Sequence, residues 1–168
     1  MRSPAQVLFS VLAVIFFTAS PAFAQLGGGE PEYDEIVRQK LDSEGWSYEI
    51  DSDGDFRMVI SFSDEDRSQL VYVISDTYGD DIEVREIWAP VYKNEDGPSI
   101  PGDIAVWALE SSWDLIIGSL ASSGNTVYLV AKVDADASAP VLSKVIRTIA
   151  SSADELEKEQ ETGAQDKL

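Results

Sequence analysis

An alternation of apolar and polar residues runs through the first half of the chain and limits the folds open to it. Apolar side chains stand at every second position in residues 46–50 and 56–62, and residues 70–74 are apolar on both sides. A period of two places alternate side chains on opposite faces of a β-strand, and a strand that is apolar on both faces suits the middle of a sheet. Residues 82–88 form a fourth run after the turn-rich segment TYGDD. Four consecutive strands are therefore predicted.

Helical spacing replaces this alternation in three segments. In residues 32–44 and 104–112, apolar side chains recur three or four positions apart, and Asp103 stands where it can cap the second of these helices. A third helix opens near Pro140, because proline suits the first helical turn. Its apolar stripe continues to about residue 157.

The segment between the second and third helices fits two interpretations. Residues 115–121 and 126–133 form a β-hairpin if Ser122–Asn125 is its turn, whereas the period alone also fits one helix over 104–121. We prefer the hairpin because a strongly β-type run follows a Ser-Gly-Asn turn. The predicted order is then α-β-β-β-β-α-β-β-α. This order predicts an α+β domain, in which helices pack on an antiparallel sheet.

The N-terminus has the layout of a secretory signal peptide. Arg2 precedes an apolar run over residues 7–19, and Ala22 and Ala24 frame a small-residue cleavage site. The run is shorter than the roughly 20 residues that a transmembrane helix needs. We expect cleavage after Ala24 and export of a soluble protein to the periplasm or the medium, with no membrane span after cleavage.

Four segments follow from these patterns. Residues 1–24 are the predicted signal peptide, 25–31 a flexible leader, 32–157 one domain and 158–168 a polar tail. The domain is well above the roughly 40 residues below which disulfides or metals are usually needed for stability. Because the chain has no Cys, its stability must come from the core.

Charge and composition exclude several classes of function. The chain carries 31 acids and 12 bases, and signal cleavage removes one of those bases, which changes the net charge from −19 to −20. Such a charge repels nucleic acids and anionic lipids and favours cations or basic partners. With no His and no Cys, the chain cannot form a Ser-His-Asp triad, a thiol nucleophile or the usual zinc site. A catalytic carboxylate pair would need a pocket, whereas the acids here crowd turns and helix surfaces, so we expect a protein that is not an enzyme.

The segment DSDGD, residues 51–55, raises the question of a calcium site. With Gly54 at the sixth position of an EF-hand loop, acids occupy positions one, three and five, but the twelfth position falls on Ile60 instead of a carboxylate. No helix is predicted before the loop. Asp-Gly between two alternating runs is instead typical of a hairpin turn.

A weak calcium site is nevertheless predicted from topology. In an antiparallel meander, the first and third turns lie at the same end of the sheet, and acids that gather there repel one another until a cation binds. The acids concerned are Asp51, Asp53, Asp55, Asp76, Asp80 and Asp81.

Four segments together resemble the YbjN family. They are LDSEGWSYEIDSDGDFRMVISF, QLVYVISD, NTVYLVAKVD and APVLSKVIRTIASSADELEK, and the similarity spans roughly residues 33–157. That family is similar in fold to the chaperones of type III secretion, and its members are described as sensory transduction regulators. The resemblance implies a chaperone-like module that binds a protein or peptide. This chain departs from the family in the second helix, where DIAVWALESSWD lacks Asn, and in its export signal, which argues against an intracellular regulatory role.

The sequence thus favours an exported, non-catalytic protein-binding module with an unidentified partner. One alternative is an acidic domain that responds to cations, and another is a carboxylate-dependent hydrolase that uses, for example, Glu110 and Asp114.

Self-association through the second helix is also predicted. Val106, Leu109 and Trp113 share one face of this helix, which suffices to cover a sheet. The opposite face, predicted to contact a partner or a second copy, carries Ile104, Trp107 and Ala108. The alternative is that the loop over residues 93–103 covers this opposite face, with Ile100 packed on it.

Overall fold

The computed structural model describes residues 32–62 and 67–165. The predicted signal peptide (1–24) and leader (25–31) lie outside the described residues, as do residues 166–168 of the predicted tail. The elements follow in the order α1 (Glu35–Ser43), β1 (Glu49–Ile50), β2 (Phe56–Phe62), β3 (Arg67–Tyr78), β4 (Val84–Lys93), α2 (Gly102–Ser111), β5 (Ser119–Ser123), β6 (Thr126–Asp134) and α3 (Ala139–Gln165). This order and the α+β class confirm the prediction.

The six strands form one antiparallel sheet in the order β1-β2-β3-β4-β6-β5. As predicted, β3 lies inside the sheet, between β2 and β4. The predicted hairpin is confirmed, since β5 pairs with β6 from Ser119 opposite Val130 to Ser123 opposite Thr126. A single helix over 104–121 is therefore wrong. The strand begins later than the predicted residue 115, so that β5 is a short edge strand.

The core lies between one face of the sheet and the helices. Alternate residues of the inner strands are fully buried there, among them Phe56, Val73 and Leu129. Helix α3 supplies the facing apolar stripe, in which Ile146 and Ile149 are completely buried. The apolar face of the strands, with its period of two, thus packs against the apolar stripe of α3, with its period of 3.6.

Helices α2 and α3 each differ from the sequence prediction at one end. Helix α2 begins at Gly102 with Pro101 as its N-cap residue, so the predicted side-chain cap by Asp103 is wrong. Asp103 instead lies in the first turn, where an acid interacts favourably with the helix dipole. Helix α3 continues to Gln165, beyond the predicted end near residue 157.

The longer α3 has a visible cause. The guanidinium of Arg67, at the start of β3, contacts one carboxylate on each of three successive turns of α3: Asp154 at 2.7 Å, Glu157 at 3.4 Å and Glu161 at 2.9 Å. Most of the predicted polar tail is therefore helical.

The other face of the sheet, which we call the open face, carries the alternate set of strand residues. The helices contribute their buried and half-buried apolar residues to the opposite side. On the open face, Val59 is 57% exposed. Aromatic and aliphatic side chains remain half-buried there: Leu70, Tyr72, Trp88, Tyr128 and Val130.

Candidate functional site

The edge strand β5 is the first component of the candidate site. The backbone N–H of Leu120 points away from β6 and donates to Ser112 Oγ at 2.9 Å. Backbone groups change sides with every residue of a strand, so the N–H and C=O of Ser122 face outward as well. The strand, SLASS, carries no charge and no proline, which are the residues that usually protect an edge from pairing.

A groove of about 590 Å³ lies on the open face beside β5. Two aromatic rings, those of Trp88 and Tyr128, line it with their centroids 6.0 Å apart and inclined at 50°. Aromatic rings provide large apolar contact areas with little conformational freedom to lose. The groove is lined by Glu86, Trp88, Gly118, Ser119, Ala121, Ser122, Ser123, Tyr128, Val130 and Lys132.

An ion pair marks the polar end of this groove. Glu86 Oε1 lies 3.0 Å from Lys132 Nζ, and the indole N–H of Trp88 donates to Glu86 Oε2 at 2.8 Å. The hydrogen bond holds the Trp88 ring in one orientation. A ligand here would therefore meet a fixed aromatic surface with one acid and one base at its end.

A second cavity, of about 230 Å³, lies on the other side of β5, beneath α2. Ala121 and Ser122 line both this cavity and the open-face groove. The cavity is mainly apolar and is lined by Ile100, Ala105, Ala108, Leu109, Leu120, Ala121, Ser122 and Val127. The edge of β5 is thus flanked by a space on each face of the sheet.

Gly118 sets the path of the chain into β5. Its φ is +84°, and a Cβ there would lie 2.7 Å from the carbonyl oxygen of Val130. A side chain would both strain the backbone and collide with β6. Glycine therefore permits the close approach of β5 to β6 at the wall of the groove.

The face of α2 that was predicted to contact a partner packs against the core instead. Ile104, Trp107 and Ala108 are half-buried and pack against the core, together with Ile100 of the preceding loop. The exposed apolar residues are those assigned to the covering face: Val106 at 54%, Leu109 at 75% and Trp113 at 89%. The structure therefore reverses the two faces that the sequence predicted for α2.

The DSDGD segment forms the predicted hairpin turn. Asp51 Oδ1 accepts the backbone N–H groups of Asp53 and Asp55, each at 3.0 Å. Gly54 adopts φ +87° and is buried against the carbonyl of Glu32. The carboxylate of Asp51 thus serves the backbone of the turn.

The six aspartates are not gathered into one site. Strand β3 continues from Val73, opposite Phe56, to Tyr78, so the next turn extends beyond the first one. Asp76 lies close enough to affect Asp55, whereas Asp80 and Asp81 are exposed at the far tip. Over residues 32–62 and 67–165, no group of three or more Asp, Glu, His or Cys is placed to hold a metal ion. Weak calcium binding stays a prediction.

Asp55 occupies an unusual position among these acids. Burial raises the pKa of its carboxyl, the N–H of Ser75 lowers the pKa by donating at 2.7 Å, and the charges of Asp51, Asp53 and Asp76 raise it further. The net pKa is above the ordinary value of 3.8. The folded protein therefore binds the proton more tightly than the unfolded chain does, and stability falls as the pH rises through the raised pKa.

We expect Asp55→Asn to stabilise the protein at neutral pH, because an amide oxygen can still accept the Ser75 N–H without a charge. The gain should shrink as the pH falls through the raised pKa, and it should vanish below the ordinary value of 3.8, where the carboxyl is protonated in both the folded and the unfolded state. Thermal unfolding of the parent and variant across this range measures the effect. Asp53→Asn removes the same charge from the exposed part of the turn and is the matched control. A gain at Asp55 that does not depend on pH would contradict the explanation.

Glu110 and Asp114, the carboxylates considered for a hydrolase, are both exposed. No helix in the described part of the chain is long and apolar enough to cross a membrane. No family model matches the chain, and a comparison with curated proteins finds no match. The resemblance to the YbjN family therefore stays a prediction.

Proposed function

We propose that the protein is a non-catalytic binding module that holds an extended polypeptide segment against the edge of β5. The observation that carries this proposal is the pair of cavities on either side of one unprotected edge strand, which share Ala121 and Ser122. Strand addition to a sheet edge derives affinity from main-chain hydrogen bonds and specificity from pockets for alternate side chains. Both elements of that mode of recognition are present around β5.

The two cavities differ in what they would accept. Alternate side chains of an added strand point to opposite faces of the sheet, so one enters the open-face groove and the next enters the space under α2. The larger groove offers the rings of Trp88 and Tyr128 and the Glu86–Lys132 pair, which suits an aromatic or long apolar side chain with a polar end. The smaller cavity suits an aliphatic side chain.

The hydrogen bond from Leu120 to Ser112 Oγ limits the length of the added strand. Because the outward N–H of Leu120 is already satisfied, the backbone of Ser122 supplies the free contacts near the β5–β6 turn. We therefore place the bound segment along the second half of β5. The predicted export signal and the resemblance to secretion chaperones support a polypeptide as the ligand.

The proposal can be tested with a displayed library of random linear peptides selected on the purified protein. Enriched peptides should bind with micromolar affinity and should alternate large and small apolar residues. Replacing Trp88 by serine should weaken the binding of such a peptide at least about tenfold, because truncation of a central aromatic anchor typically has an effect of this size. Fluorescence anisotropy of a labelled peptide gives the dissociation constant.

A matched control is Val59→Ser, which removes an exposed apolar side chain from the same face of the sheet, on β2. It should change the affinity less than about twofold. A second test replaces Ser122 by proline, which removes the outward N–H and should abolish strand addition. Peptides that bind equally well to the parent, Trp88→Ser and Ser122→Pro would contradict the proposal, as would a library that yields no binder.

A further inference from the structure

The outward face of α2 continues into an exposed apolar surface after the helix ends. Leu109 is 75% exposed, Trp113 is 89% exposed and Ile116 is 93% exposed. Large apolar side chains are common on protein surfaces one by one, but a contiguous patch usually marks an interaction site. We call Val106, Leu109, Trp113 and Ile116 the α2 patch. None of these residues lines the open-face groove, although Leu109 also lines the cavity beneath α2.

A third cavity, of about 220 Å³, opens beside this patch, between the end of α2 and α3. Leu115, Ile116 and Leu156 give it an apolar lining, whereas Asp114, Glu155 and Glu159 add three carboxylates. Such a site suits a long basic side chain, which can lay its aliphatic stem on apolar groups and place its cationic end among carboxylates. It would be a poor site for an acidic or purely apolar side chain.

Acidic residues outnumber basic ones around this cavity. Residues 94–131 contain no Lys and no Arg, although Asp103, Glu110 and Asp114 lie in or just after α2. On α3, the nearby Lys158 binds Asp154 at 2.9 Å. The potential over the α2 patch is therefore negative, which attracts basic partners.

We propose that the α2 patch docks an amphipathic polypeptide segment that has an apolar face and basic flanks, with one Lys or Arg side chain entering the cavity between α2 and α3. Trp113 is the central anchor, and the cavity selects the charge. Charge complementarity decides between this partner and a second copy of the chain. A symmetric contact between two copies would bring identical acidic rims together, and like charges oppose such a contact.

The test uses two synthetic peptides as probes, a labelled amphipathic helix of leucine and lysine and its counterpart with glutamate at every lysine position. The lysine peptide should bind, with an affinity that falls as salt is added, and the glutamate peptide should not. Trp113→Ser should weaken the binding of the lysine peptide at least about tenfold, since exposed tryptophan anchors dominate such contacts. Because Trp113 is 89% exposed, this variant should fold as the parent does.

Two double variants separate a specific contact from the general attraction of an acidic protein. Glu155→Gln with Glu159→Gln removes two charges at the cavity, and Asp80→Asn with Asp81→Asn removes two from the exposed turn after β3. The first pair should weaken binding about fivefold and the second less than about twofold, because exposed charges are screened over distance. Equal effects of the two pairs would overturn the proposal, as would binding of both peptides alike or no loss in Trp113→Ser.

Two further measurements distinguish other occupants. Light scattering of the protein alone would detect a dimer, and a dimer that Trp113→Ser abolishes would mean that a second copy, not a basic segment, covers the patch. Trp88→Ser should leave binding of the lysine peptide unchanged. If it weakens that binding instead, the peptide occupies the open-face groove and the α2 patch is not its site.

Discussion

Replacing Ile149 by aspartate is expected to abolish cooperative folding or to lower the melting temperature severely. Ile149 is completely buried in α3, against the sheet, so the new carboxylate would be buried without a partner. An unpaired buried charge destabilises a protein by several kcal/mol, and the whole stability of a domain is only about 5–15 kcal/mol. Circular dichroism during heating measures the loss.

The control for this variant is Ile36→Asp, which makes the same chemical change on α1 at a side chain that is 61% exposed. Its effect should stay within about 0.5 kcal/mol, as for most surface substitutions. If the Ile149 variant melts at the temperature of the parent, the position of α3 on the sheet is wrong.

A second large effect is expected at the buried ion pair between Arg85 and Asp34. The Arg85 side chain is 4% exposed, and its guanidinium donates to Asp34 Oδ2 and to the carbonyl oxygens of Ile74 and Ser75. Asp34 is also the N-cap residue of α1, where its Oδ1 accepts the N–H groups of Ile36 and Val37. One carboxylate thus serves a helix end and a buried cation together.

The two roles of Asp34 can be separated. Asp34→Asn keeps a good N-cap but removes the negative charge, and it should destabilise the protein by about 2–3 kcal/mol, because the Arg85 charge then lacks a counterion. Asp34→Ala should cost about 1 kcal/mol more, since the cap is lost too. Chemical denaturation gives both free energies of unfolding.

A double variant, Asp34→Asn with Arg85→Met, completes the cycle. The two changes should be strongly non-additive, because residues in one ion pair share an interaction energy that is lost only once. Additive effects would mean that the ion pair between Arg85 and Asp34 contributes no interaction energy to the stability of the protein. A loss below about 0.5 kcal/mol in Asp34→Asn would mean the same.

The sheet and α3 were open to prediction because each has one periodic face. Residues such as Phe56 and Met58 alternate with polar or smaller neighbours, and α3 repeats its apolar residues at helical spacing, so local pattern and tertiary burial agree. The faces of α2 could not be assigned in the same way. It is apolar on both sides, so its pattern alone does not show which side packs against the core, and tertiary packing buries the side with Trp107.

The candidate site was missed for a related reason. Trp88 and Tyr128 stand at the alternate positions between buried strand residues, and this outward placement of aromatic side chains was the available signal. Outward aromatic residues indicate a binding surface only if the helices all cover the other face of the sheet. The sequence does not show which face the helices cover, because this depends on tertiary packing. The turn aspartates were misplaced because β3 extends past its apolar run to Tyr78, and strand length beyond an apolar pattern is set by pairing with β4.

Ion pairs with Arg67 hold the end of α3 to the sheet, whereas apolar packing holds the rest of the helix. The buried Asp154 carboxyl illustrates this: burial would raise its pKa, but hydrogen bonds from Arg67 and Lys158 outweigh burial and lower it. Beyond Leu156 the helix has no further buried apolar side chain in the described part. We therefore expect the last turns of α3 to fray more readily as salt is added, because ion pairs hold them to the sheet, whereas the apolar packing of the earlier turns should be insensitive to salt.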